Sequence, residues 1–200
     1  MTRLALIDAG GANIGSVRYA LSRLGVEAEL TTDAEVILSA DRVILPGVGA
    51  AAQVMGRLRE LQLVEVIKTL DAPLLGVCVG MQVLFEHSEE DDTACLGLLS
   101  GKVAKLPVSA GIRVPHMGWN TLAARREASL TRDIGAQDQA YFVHSYAAPV
   151  SDDCLSSATH GQEFAAVVQR GRVAGAQFHP ERSAAVGARL LQNFIEHGLA

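Results

Sequence analysis

Pro73-Leu74-Leu75-Gly76-Val77-Cys78-Val79-Gly80-Met81-Gln82-Val83-Leu84-Phe85 is the stretch on which the reading of this chain turns. Its apolar start, Pro73 to Val77, reads as a buried strand. Met81 to Phe85 read as the first turns of a helix. Between them lies Gly76-x-Cys78-x-Gly80. A nucleophile carried on a sharp strand-to-helix turn needs small neighbours, because its backbone is strained and crowded. It gains a helix start, whose amides and dipole favour a thiolate and donate to an oxyanion. Free cysteine is also among the most buried residue types, so this stretch by itself leaves a core cysteine and a nucleophile both open.

A second stretch decides between them. Arg172 to Phe178 reads as a strand of small and apolar residues, with His179-Pro180-Glu181 at its end. Residues two apart in extended backbone share a side, so His179 and Glu181 lie together while Pro180 limits further pairing. A base with a carboxylate to orient it is what a cysteine nucleophile requires. The two half-sites together point to Cys78, His179 and Glu181 as a catalytic triad.

On these residues the chain resembles the class I, triad-type glutamine amidotransferases, which release ammonia from the side chain of glutamine and hand it to a synthase. Three further segments carry the resemblance: Leu45-Pro46-Gly47-Val48-Gly49, Pro115-His116-Met117-Gly118-Trp119-Asn120 and Tyr141-Phe142-Val143-His144-Ser145-Tyr146. With Gln177-Phe178-His179-Pro180-Glu181-Arg182-Ser183, they are similar to the glutaminase subunits of imidazole glycerol phosphate synthases, which serve histidine biosynthesis. The resemblance runs from the first strand to the last helix. It implies a partner, a (β/α)8 cyclase subunit, and L-glutamine as substrate.

Composition agrees with a compact enzyme. The 200 residues allow one domain, 1–200, with a sizeable core. A charged fraction of 20% and a net charge of −5 give no reason to propose nucleic-acid binding. No run of about 20 apolar residues argues for a membrane span. Three cysteines, Cys78, Cys95 and Cys154, show neither metal-ligand spacing nor the even count of a disulfide framework. No metal or cofactor is expected, and a reducing cytoplasm is the natural compartment.

The fold class expected is α/β: a mostly parallel central sheet with flanking helices and additional antiparallel strands. Leu4 to Asp8 reads as a strand, followed by a helix with Val17, Ala20, Leu21 and Leu24 on one face and an end near Gly25. Arg42 to Leu45 reads as a strand, and Ala50 to Leu70 as helical with a break near Leu61-Gln62-Leu63. Short strands are expected around Lys102–Leu106, Tyr141–His144, Ala165–Gln169 and Arg172–Phe178, before a helix from Ala184 to about His197. Such alternation makes a sheet with helices on both faces, with ligands collecting outside the carboxyl ends of its strands.

The resemblance assigns the remaining site residues. The amides of Val48, Gly49 and Val79 form the oxyanion hole. Gln82, one helical turn beyond Cys78, helps bind glutamine, with Glu90 near its amino group and His144, Ser145 and Tyr146 as another wall. Read alone, Glu90 belongs to an acidic run that suits a solvated loop, and His144 suits a hydrogen-bonded strand end. Asn13, Trp119, Tyr141 and Arg182 belong to the docking surface. The loop Asp8-Ala9-Gly10-Gly11-Ala12-Asn13 departs from the family's D-Y-G-x-G-N form, and Val79 stands where leucine is commoner. His87, His160 and His197 are read as ordinary surface or helix residues. A glutaminase of another synthase, such as pyridoxal phosphate synthase, and a non-catalytic scaffold are the alternatives.

Overall fold

The computed structural model describes residues 2–10, 14–109 and 111–199. Its first half alternates strands and helices: β1 (Leu4–Ile7), α1 (Ile14–Arg23), β2 (Ala28–Thr31), α2 (Ala34–Ser39), β3 (Arg42–Gly47), α3 (Ala51–Glu60), α4 (Leu63–Lys68), β4 (Leu74–Cys78) and α5 (Val79–Gln82). Short strands follow: β5 (His87–Ser88), β6 (Thr93–Ala94), β7 (Lys102–Lys105), β8 (His116–Thr121), β9 (Ala123–Ala124), β10 (Gln139–His144) and β11 (Tyr146–Ala147). Then come β12 (Cys154–His160), β13 (Gln162–Arg170), β14 (Val173–Ala176) and the closing helix α6 (Ala184–His197).

Eight strands make the main sheet, in the order β2-β1-β3-β4-β14-β13-β12-β9. The five from β2 to β14 are parallel, and β13, β12 and β9 extend the sheet in antiparallel fashion. This is the α/β fold expected, with the antiparallel strands gathered at one side. Strands β1, β3 and β4 are buried on nearly every residue, as parallel strands covered on both faces must be. Helix α1 buries Ile14, Val17, Ala20 and Leu21 on one face, and the turn that follows it contains Gly25, whose φ of 73° suits a residue without a Cβ.

The helix expected over Met81 to Phe85 is cut short after its first turn. Helix α5 is one turn long and stops at Gln82. Val83 and Leu84 are fully buried, yet their carbonyls accept hydrogen bonds from Leu96, Leu98 and Leu99 rather than from the next helical turn. The apolar run is core in both readings, but its backbone partners come from a distant segment.

Two smaller sheets frame the end of the main sheet. One pairs β8 with β10, setting Trp119 opposite Tyr141 and His116 opposite His144. The other runs β11-β7-β5-β6.

Candidate active site

Cys78 is the last residue of β4 and pairs in register with Gly47, the last residue of β3. Its backbone, at φ 56° and ψ −116°, lies outside the conformations that L-residues favour. Close packing holds it there. A Cβ on Gly80 would overlap the Leu45 carbonyl, and one on Gly47 would overlap the Gly80 amide. The glycines of the elbow are therefore demanded by backbone-to-backbone approach across β3 and β4.

On the adjacent strand, Ala176 pairs with Val77, which carries the chain past Cys78 into Gln177-Phe178-His179. The His179 amide donates to the Tyr141 carbonyl at 3.0 Å. Ser183 Oγ donates to the His179 carbonyl at 2.7 Å and accepts from the Tyr141 amide at 2.9 Å. The turn carrying the base is thus laced to β10. His179 Nδ1 stands 2.9 Å from Glu181 Oε1, with both side chains almost wholly buried. That contact leaves Nε2 for Cys78, to which the imidazole also hydrogen bonds. Burial by itself would lower the His179 pKa; the hydrogen bonds and charges of Cys78 and Glu181 outweigh it and raise the value to about 10. The contacts with Cys78 and Glu181 thus favour the protonated imidazole.

The other two cysteines are of a different kind. Burial raises the thiols of Cys95 and Cys154 to about 11.

Val48, beyond β3, lines a small cleft together with His179, Val77 and Gly10. Gly49 follows with φ 86°. The loop ends in α3, whose first amide, Ala51 N–H, donates to Glu90 Oε2 at 2.8 Å. Glu90 thus leaves the solvated acidic run to cap α3, where a carboxylate suits the helix dipole. Gln82 is buried, and its Nε2 donates to the Tyr146 carbonyl at 2.8 Å and to Gln177 Oε1 at 3.0 Å. His144 is buried as well, with Nδ1 2.9 Å from the same carbonyl. Ser145 sits between them, its carbonyl accepting from Leu106.

Next to the triad, three of the docking residues form a stack. Tyr141 and Trp119 meet edge to face at 5.9 Å, and the Arg182 guanidinium lies 4.8 Å from the Tyr141 ring centre. Trp119 and Met117 are half or more exposed, at 51% and 64%. Asn13 lies outside the described residues.

A family profile described as Glutamine amidotransferase class-I matches residues 5–197. The chain belongs to the class I glutamine amidotransferases. Among curated relatives, this amidotransferase is 59% identical over 196 residues to imidazole glycerol phosphate synthase subunit HisH of Xanthomonas campestris pv. campestris (strain 8004), covering 98% of each chain. It is 56% identical over the same span to the subunit HisH of Xylella fastidiosa (strain Temecula1 / ATCC 700964). Its fold is similar to that of PurLQS from Thermotoga maritima, at a TM-score of 0.73 and 20% identity, covering 98% of this chain and 99% of the other. Membership makes it a glutamine-hydrolysing enzyme with a cysteine nucleophile. No helix among the described residues is long and apolar enough to cross a membrane.

One cluster of side chains in this amidotransferase is not announced by its sequence. His160, expected as an ordinary surface or helix residue, ends β12 and stacks on His116 at 4.2 Å. Its Nε2 stands 2.7 Å from the Arg113 carbonyl. His116 itself, quoted only as part of a motif, is buried and bonded to His144. Three strands bring these rings together, and no spacing along the chain announces them.

Proposed function

We propose that this chain is the glutaminase subunit of an imidazole glycerol phosphate synthase, one amidotransferase domain that passes ammonia to a (β/α)8 cyclase subunit in the cytoplasm. The observation that carries this reading is the adjacency of triad and docking stack. Glu181, which orients the base, is followed by Arg182, which lies on Tyr141 beside the exposed Trp119. An exposed tryptophan backed by an aromatic and a cation has the composition of an interface hot spot. The names and near-full coverage of the relatives point the same way.

Cys78 Sγ attacks the carboxamide carbon of glutamine, with its proton on His179. The carbonyl oxygen becomes an oxyanion held by the amides of Val79 and of the Val48-Gly49 segment; one such donor contributes about 2.7–4 kcal/mol. Imidazolium His179 protonates the departing nitrogen, so ammonia leaves and a glutamyl thioester remains. Water then adds to the thioester, giving a proton to His179, and collapse of that adduct frees glutamate and returns the thiol. Gln82, Glu90, His144, Ser145 and Tyr146 seat the substrate. Glu90 receives its ammonium while remaining on the α3 start, which ties the occupied seat to the oxyanion loop.

Glutamate release, measured for the chain alone and with the cyclase subunit and its nucleotide ligand, tests the reading. Strong release is expected only in the complete mixture and none with Cys78→Ala. Trp119→Ala is expected to weaken the complex by about 2 kcal/mol or more. Full activity without the partner would overturn the dependence of turnover on the partner, and an unchanged affinity in Trp119→Ala would overturn the assignment of the docking face.

A further inference from the structure

A directed chain of hydrogen bonds runs from strand β8 to Gln82. Asn120 Nδ2 donates to the Thr159 carbonyl at 2.9 Å and lies 3.3 Å from His116 Nε2. His116 Nδ1 is 3.1 Å from His144 Nε2, and His144 Nδ1 is 2.9 Å from the Tyr146 carbonyl. That carbonyl also accepts from Gln82 Nε2, whose second proton goes to Gln177 Oε1.

Every proton in this chain is assigned by its far end. A carbonyl oxygen only accepts, so His144 carries its proton on Nδ1 and offers Nε2 as an acceptor. His116 must then donate from Nδ1, which leaves its Nε2 to accept. Asn120 supplies that donor. Its orientation is fixed independently, because its Oδ1 accepts from the Thr121 amide at 2.8 Å. Every donor from Asn120 through Gln82 meets an acceptor with both imidazoles neutral. A further proton on either ring would set one N–H against another.

The surroundings favour the neutral rings. His116 stacks on Phe142 at 5.0 Å and on His160 at 4.2 Å, and His144 meets Phe164 at 4.9 Å. Burial is the main cause that lowers His116 to about 4 and His144 to about 3, and the nearby histidines act in the same direction.

We infer that the His116–His144 pair is a positioning device for the glutamine seat. Held by His144, the Tyr146 carbonyl fixes the Gln82 carboxamide with both Nε2 protons committed inward, so that Oε1 is presented as an acceptor to an N–H donor of the substrate. This rests on the reading that Gln82 borders the glutamine pocket.

The test uses the whole chain and an electrophilic glutamine analogue that alkylates Cys78, with the inactivation rate followed against concentration to separate KI from kinact. Iodoacetamide, which needs no glutamine seat, is the parallel reagent. Gln82→Ala sets the scale and is expected to raise KI about tenfold. His116→Phe keeps the ring and removes both nitrogens. It is expected to raise KI about as much, with the iodoacetamide rate unchanged. His116→Asn, whose Nδ2 replaces the Nδ1 donor, is expected to restore KI. An unchanged KI in His116→Phe beside a raised KI in Gln82→Ala overturns the positioning role. An unchanged KI in Gln82→Ala overturns it a step earlier, by removing Gln82 from the seat. Imidazole nitrogen NMR shifts of the unaltered chain supply a readout independent of any variant's folding. Both rings are expected as the neutral Nδ1–H form at neutral pH, and an Nε2–H form in either sinks the inference.

Discussion

The Glu181 carboxylate stands 2.9 Å from His179 Nδ1 with its side chain 2% exposed, so the imidazolium of the triad is balanced by a charge that water barely screens. Replacing it as Glu181→Gln keeps the shape and removes the charge. Glutaminase activity is expected to fall about 10²–10⁴-fold. The His179 pKa, now about 10, is expected to drop. Its imidazolium will then be lost at lower pH, so the alkaline limb of the pH–rate profile for glutamine hydrolysis moves toward neutrality. An unmoved limb would remove Glu181 from its role.

Gly80→Ala is expected to be far costlier than a usual glycine-to-alanine change. The new Cβ would overlap the Leu45 carbonyl. Overpacking of this kind costs about 1–3 kcal/mol, and the only relief is to part β3 from the elbow. Urea unfolding should show the destabilisation, and the residual folded enzyme should have lost most of its glutaminase activity. Wild-type stability in this variant would contradict the packing described.

Selective alkylation should separate the three cysteines. With thiols at about 11, Cys95 and Cys154 have about one thiolate in a thousand at pH 8. Brief iodoacetamide treatment followed by mass spectrometry is expected to find the label on Cys78 alone. Comparable labelling of Cys154 would refute its burial.

The two buried histidines make a prediction about acid stability. Their folded values, about 4 for His116 and about 3 for His144, lie below the ordinary 6.5. A depressed folded pKa means that the unfolded chain binds the proton first. Stability from this source is present above pH 6.5 and is lost as pH falls toward 3–4, at about 1.4 kcal/mol per pH unit for each proton taken up. His116→Asn removes one of the two, so its urea midpoint should decline less steeply than the wild type's between neutrality and about pH 5. Parallel curves would show that His116 titrates normally in the folded chain.

What was legible in the sequence is what depends on local pattern. The β4 run, the glycines around Cys78 and the two-residue spacing of His179 and Glu181 are one-dimensional features with a physical meaning. The Val17, Ala20 and Leu21 face of α1 is another. Strand β2 was missed because Ala28-Glu29-Leu30-Thr31 lies at the sheet edge with little apolar contrast. Strand β12 was missed because Ser156 and Ser157 are buried, Ser157 being satisfied by Arg125 and Glu163. Glu90 looked like part of a solvated acidic run until α3 supplied its partner. The histidine cluster needs the β8–β10 pair packed against β12 of the main sheet, which no window of sequence contains.

The unusual backbone angles of Cys78 have a consequence for how this enzyme fails. No local preference sustains them; they persist only while Gly47 and Leu45, some thirty positions earlier in the chain, press against Gly80. Competence is therefore a collective property of two neighbouring strands. As the protein is warmed or exposed to denaturant, the elbow is free to relax as soon as β3 slides from β4. Glutamine turnover should thus vanish before the bulk helical signal does, which makes catalysis itself the most sensitive gauge of the integrity of the sheet.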